Sequence, residues 1–226
     1  VWIQVAFTLA GLSQSLASPL DDQIEAFANA REQKEADVVQ ILKSGLNENR
    51  SARAYTSTKS WLSTHPDASA ELAYHAARAA ERAGEWPAAV SFYRKLLNNP
   101  KVDGKLAAEA TPAIYSLLIN HLNDQEAAYL LMREDGARLR GYGRAKQFDS
   151  WFLDRAKQRR DLVALAELLT AIHNGNDPLD RYEGYLNFLL RELETFSHES
   201  EELFAVLKDL GASKRTSPAV KARLNW

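Results

Sequence analysis

The residues with the widest chemical repertoire in this chain are its five histidines, His65, His75, His121, His173 and His198. An imidazole can shuttle protons near neutral pH or ligate a metal. None of the five stands in the H-E-x-x-H or H-x-H spacing of a metal site. Glu71 and His75 lie one helical turn apart and have the reach to share a cation. The simpler reading is a surface helix pair. The remaining histidines fall near predicted helix ends, where a partly charged ring is favoured, and they read as structural. There are no cysteines, which excludes disulfides, thiolate zinc sites, iron–sulfur clusters, cysteine nucleophiles and a lipid-bearing N-terminal cysteine. No G-x-S-x-G elbow, phosphate-binding Gly-Lys-Ser/Thr loop or G-x-G-x-x-G occurs. Gly141-Tyr142-Gly143 is a lone G-x-G with no strand before it. The acidic pairs Asp21/Asp22 and Glu201/Glu202 sit where helices are expected to start, whereas glycoside hydrolysis needs two carboxylates flanking a cleft. The expectation is a chain without catalytic residues, metal or cofactor.

Charge is more informative. The formal net charge is −2, without the basic excess of a dedicated nucleic-acid binder. Its distribution is uneven. Residues 133–160 hold nine Lys/Arg against four Asp/Glu, and residues 177–209 hold three against nine. Arg138, Arg140, Arg144, Arg159 and Arg160 are the candidates for an anionic partner, because a guanidinium fork matches carboxylates and phosphates. The alternative is solvated helix surface with pairing between neighbouring helices. Tyr142, Trp151 and Phe152, which lie among these arginines, read as packing residues.

The elements that must carry these groups are helices. Beyond Pro19, apolar residues recur at spacings of three and four. A first helical segment runs from Asp21 to Gly45, with the charged stretch Arg31–Asp37 as a solvated surface. A second spans about 49–64 and ends at His65-Pro66, since the residue before proline is pushed out of helical geometry. Asp67 or Ser69 caps a third. Its inward stripe is Leu72, Ala73, Ala76, Ala80 and Ala83, and Gly84 closes it in the left-handed region. Pro87 sits in the first turn of a fourth, where a missing N–H costs nothing, and that helix stops at Asn98-Asn99-Pro100. Thr111-Pro112 starts another through Leu122, and Asn123-Asp124 caps its partner. Gly136, Gly141 and Gly143 break the chain near residue 140. Further helices are expected at 148–158, 162–173, 179–196 and 199–210.

Pro66 and Pro100 are 34 residues apart, as are Leu62 and Leu96, and Ala54 and Ala88. A period of 34 is the tetratricopeptide length. Residues 71–100 resemble that family in detail. Gly84 and Trp86 match its turn glycine and the following aromatic, Ala89 its small residue at the helix crossing, and Tyr93 the aromatic four residues later. Pro100 lies one residue from the family's terminal proline. Ala73 and Ala77 replace its first-helix aromatic and glycine. The preceding unit, about 33–66, keeps the period but carries Thr58 and Lys59 near the aromatic position. The resemblance implies an all-α, right-handed superhelical stack of antiparallel helix hairpins, a TPR-like α-solenoid. Its core is 33–100, and degenerate hairpins follow over 101–226.

Residues 1–20 carry no charge. Their apolar run ends in Ser15-Leu16-Ala17, small residues suited to a signal-peptide cleavage site. Residues 1–17 therefore read as a signal peptide and 18–226 as the helical-repeat domain, which is expected to continue past the last residue. A first core helix is the alternative for the start. Together with the resemblance, this implies an exported bacterial protein, periplasmic or extracellular, acting as a non-catalytic scaffold for a protein or peptide partner. It implies no nucleic-acid partner and no stable membrane insertion after signal removal. Two alternatives stay open: a cytoplasmic repeat protein, and the α-superhelical arm of a larger exported enzyme similar to soluble lytic transglycosylases.

Overall fold

The computed structural model describes residues 18–67, 69–140, 143–175 and 179–195, with isolated residues between 205 and 221. Every regular element among the described residues is helical, so the protein is all-α there. No described helix is long and apolar enough to cross a membrane. The expected signal peptide, residues 1–17, lies outside the described residues, as does the helix expected over 199–210 except for Ala205, Leu207 and Lys208.

The chain divides into two compact units, Val1–Leu106 and Ala107–Trp226. The first is built from α1 (Pro19–Asn29), α2 (Glu35–Asn47), α3 (Ser51–Thr64), α4 (Ala70–Arg82) and α5 (Trp86–Asn98). α2 pairs with α3, and α4 with α5. α4 also packs against both α2 and α3. The boundaries follow local chemistry. Ser69 caps α4 by accepting a hydrogen bond from the Leu72 N–H at 3.1 Å. Gly84 turns the chain at φ +79, and Pro87 enters α5 in its first turn. α1 is tied down by Asp21, which accepts two hydrogen bonds from Arg50 at 3.0 Å each. That guanidinium holds the Asp21 carboxyl below the usual carboxylate range.

Two sequence expectations need correction in this unit. The segment 21–45 is not one helix. It breaks between Asn29 and Glu35, where the Gln33 carboxamide donates to Phe27 O and the Trp61 indole donates to Gln33 O, both at 3.3 Å. The break is thus held by a residue of α3, which local propensity does not register. The repeat register also shifts by one. α2 and α4 begin at Glu35 and Ala70, and α3 and α5 at Ser51 and Trp86, 35 residues apart in each case. The counterpart of Ala54 is therefore Ala89, not Ala88. Both Ala54 and Ala89 are fully buried, whereas Ala88 is half-exposed.

Ala89 is fully buried on α5, which packs against α4. Ala89→Leu is expected to cost about 1–3 kcal/mol by overpacking, and Ala88→Leu clearly less. Thermal denaturation of the two variants distinguishes them; the reverse ranking would mean that the register is wrong.

The second unit contains α7 (Gln125–Arg140), α8 (Asp149–Arg159), α9 (Leu162–Asn174) and α10 (Glu183–Thr195), with short 3-10 turns at Gly143–Phe148 and Leu179–Tyr182. α6 (Gly104–Ser116) runs across the division between the units and ends in a π turn at Leu117–His121. In that turn the Leu122 N–H donates to Leu117 O, five residues back, at 2.9 Å. Thr111-Pro112 does not start this helix but lies inside it. Pro112 removes one backbone hydrogen bond, and the Thr111 hydroxyl adds one locally by donating to Ala107 O at 2.8 Å. Gly136 does not break its helix either, since α7 runs through it to Arg140. Asp124 and Asp161 cap α7 and α9 by accepting from Ala127 N at 2.9 Å and Ala164 N at 3.0 Å. α8 packs on α9 and α9 on α10, while α7 meets both α8 and α9.

Candidate functional site

Where α7 and α9 face each other, their small residues leave a cavity of about 470 Å³ within the second unit. Arg133, Gly136 and Arg140 line it from α7, at the i, i+3, i+7 spacing of one helical stripe. Glu167, Thr170 and Asn174 line it from α9, each 34 residues after its α7 counterpart. Tyr115 from α6 and Phe152 from α8 close the apolar side, with Leu168 and Met132. Gly136 keeps the space open: a Cβ there would meet only the Met132 side chain, at 3.3 Å.

The polar groups around the cavity are unevenly satisfied. The Arg133 guanidinium is shared between Glu167 Oε2 at 2.6 Å and Asp161 Oδ2 at 3.2 Å. Asp161 additionally accepts a hydrogen bond from the Tyr129 hydroxyl at 2.8 Å. Arg140 forms an ion pair with Asp149, the two side chains being only 9 % and 5 % exposed. Glu134, by contrast, is exposed on the lining and has no ion pair among the described residues. Tyr115 is 2 % exposed, its ring set edge-on against Phe152 at 4.9 Å. Burial, reinforced by Asp135 and Asp149, pushes the phenol above its ordinary pKa, so it remains a neutral donor. The Thr170 hydroxyl is buried and without a hydrogen-bond partner. A buried polar atom left unpaired is destabilising unless a ligand or water reaches it.

The arginines singled out from sequence are placed as follows. Arg159 grips Glu126 through two N–H groups and lies over the Tyr129 ring at 4.5 Å. Arg160 adopts a left-handed φ of 52 at the end of α8 and reaches Glu192 at 3.7 Å. Arg138 pairs with Asp135, one turn earlier on α7, at 2.9 Å. Of the four whose side chains are described, Arg140 is the one that lines the cavity. The side chain of Arg144 lies outside the described residues, as does Tyr142. Phe152 is buried and Trp151 half-buried against it at 5.0 Å. On α4, Glu71 is engaged by Lys43 of α2, which holds its carboxyl below the ordinary range. Burial lowers the pKa of the neighbouring His75. Among the described residues, no three of His, Asp and Glu cluster so as to hold a metal ion.

Arg133, Glu134, Gly136 and Thr170 escape a motif search. The one available signal is the pair of opposite charges, Arg133 and Glu167, set 34 residues apart beside small residues on both helices. No protein-family model, no curated protein and no solved structure matches the chain.

Proposed function

We propose that this protein is a non-catalytic helical-repeat scaffold of the TPR-like kind, which binds a peptide segment of a partner protein in the cavity between α7 and α9. The observation that carries this reading is the Thr170 hydroxyl, buried without a hydrogen-bond partner in a partly apolar cavity of about 470 Å³ that Tyr115 also lines. That volume and that mixture of walls suit one or two side chains and their backbone. The recurrence of hairpins every 35 residues in the first unit and the 34-residue correspondence across the cavity support the repeat reading and the superhelical stack it implies. In repeat proteins, equivalent helices line the binding surface. The uncharged N-terminal stretch supports export from a bacterial cell to the periplasm or beyond.

Selection of a random dodecapeptide library against the protein tests the site. Wild type is expected to enrich a recurrent motif, and Gly136→Trp, which fills the cavity, is expected to lose it. Ala171→Leu serves as a milder block, and circular dichroism establishes that both variants are folded. A motif that survives in both folded variants, or no motif with wild type, would sink the proposal.

A further inference from the structure

The charges around the cavity determine which peptides fit it. Both guanidinium groups on the lining are already engaged: Arg133 with Glu167 and Asp161, and Arg140 with Asp149. Three carboxylates, Glu134, Asp149 and Glu167, line the cavity against these two cations. The carboxylate left over is Glu134, exposed and without an ion pair among the described residues. An anionic ligand would have to displace one of the chain's own carboxylates from an arginine. It would also approach Glu134 against like-charge repulsion, and juxtaposed like charges suppress wrong partners. A cationic ligand meets a carboxylate that needs no rearrangement.

The inner end of the cavity makes a different demand. Phe152, Leu168 and Met132 offer apolar contact, and the Tyr115 ring is set edge-on against Phe152. The Thr170 hydroxyl, buried without a partner, and the Tyr115 hydroxyl belong to the same lining. They can donate to backbone carbonyl groups of an extended segment or accept from its N–H groups. A large apolar side chain thus enters, its backbone is held by hydroxyls, and the next residue carries positive charge to the rim.

From this juxtaposition we propose that the cavity between α7 and α9 is selective for basic-hydrophobic peptide segments. In these, a large apolar residue anchors inside while a neighbouring lysine or arginine pairs with Glu134. The proposal rests on the peptide-binding reading above and adds the class of peptide.

The same dodecapeptide library provides the test. Wild type is expected to enrich sequences with Phe, Trp, Leu or Met within two residues of Lys or Arg. A synthetic peptide of the leading sequence, labelled with fluorescein, should weaken by about tenfold when its basic residue is replaced by Glu, as expected for an attractive contact replaced by a repulsive one. Glu134→Lys should reduce or invert that difference and leave the apolar preference intact. If the enriched peptides are acidic or show no charge preference, or if Glu134→Lys leaves the preference unchanged, this inference is overturned while the scaffold reading stands. If no motif is enriched, or if enrichment ignores Gly136→Trp and Ala171→Leu, both fall together.

Discussion

Asp149→Ala is expected to destabilise the second unit by about 3–5 kcal/mol, because it takes the Asp149 carboxylate away from the buried Arg140 guanidinium. The two side chains are 9 % and 5 % exposed, so water cannot take over the role of the lost partner. An isolated buried charge is far costlier than the pair is beneficial. The double substitution Arg140→Met/Asp149→Leu should therefore recover most of the loss, since an apolar pair of similar volume leaves no charge to solvate. Denaturant unfolding followed by circular dichroism measures both variants. A loss below about 1 kcal/mol for Asp149→Ala, the range of an exposed ion pair, would mean that the site is wetter than its exposure suggests.

Gly45→Ala is expected to be the most damaging single-methyl change in the first unit, at about 1–3 kcal/mol. A Cβ built on Gly45 falls within the van der Waals envelope of the Ala54 Cβ and lies 3.3 Å from Arg50 O. The backbone on that side cannot retreat easily. Arg50 N donates to Gly45 O at 2.7 Å, and Asn49 holds the corner at φ 57. Ala54→Gly introduced alongside should relieve the clash, although glycine inside a helix carries its own cost of about 1 kcal/mol. The coupling between the two sites is the measured quantity. Strictly additive costs would show that the methyl groups do not meet.

Much of the first unit could be read before the structure, for local reasons. Ser69, Gly84 and Pro87 each act on the backbone within four residues of themselves, so their effect is visible in sequence. The break at residues 30–34 is different. Glu32, Gln33 and Lys34 are good helix formers, and the chain departs from the helix in a place where the Trp61 indole claims Gln33 O. A contact from 28 residues away outweighs a local preference. The one-residue error in register has a related cause. Pro66 and Pro100 lie beyond the ends of α3 and α5, and Leu96 stands beside an equally buried Leu97, so their 34-residue echo does not follow the 35-residue spacing of the buried Ala54 and Ala89.

The site was largely hidden. In sequence Gly136 reads as a break and Ala164 and Ala171 as ordinary helix residues, yet all three line the cavity. Arg138, Arg140, Arg159 and Arg160 look available in sequence, yet each one holds a carboxylate of the same chain, and Arg140 reaches the cavity only as half of an ion pair. Side-chain pairing across neighbouring helices is decided by rotamers and helix phase, which composition does not contain.

The polar links that join successive hairpins share a common stride. Arg133–Glu167 spans 34 residues, Arg159–Glu126 33 and Tyr129–Asp161 32, and in the first unit Arg82 reaches Leu46 O across 36. Each link closes a loop of about one hairpin, so the entropy of closure, which grows only with the logarithm of loop length, is nearly the same at every step. None of these four links requires distant parts of the chain to meet before a contact rewards it. Contacts of such short range favour rapid folding, and in the repeat architecture we propose, assembly would begin at any hairpin and spread to its neighbours.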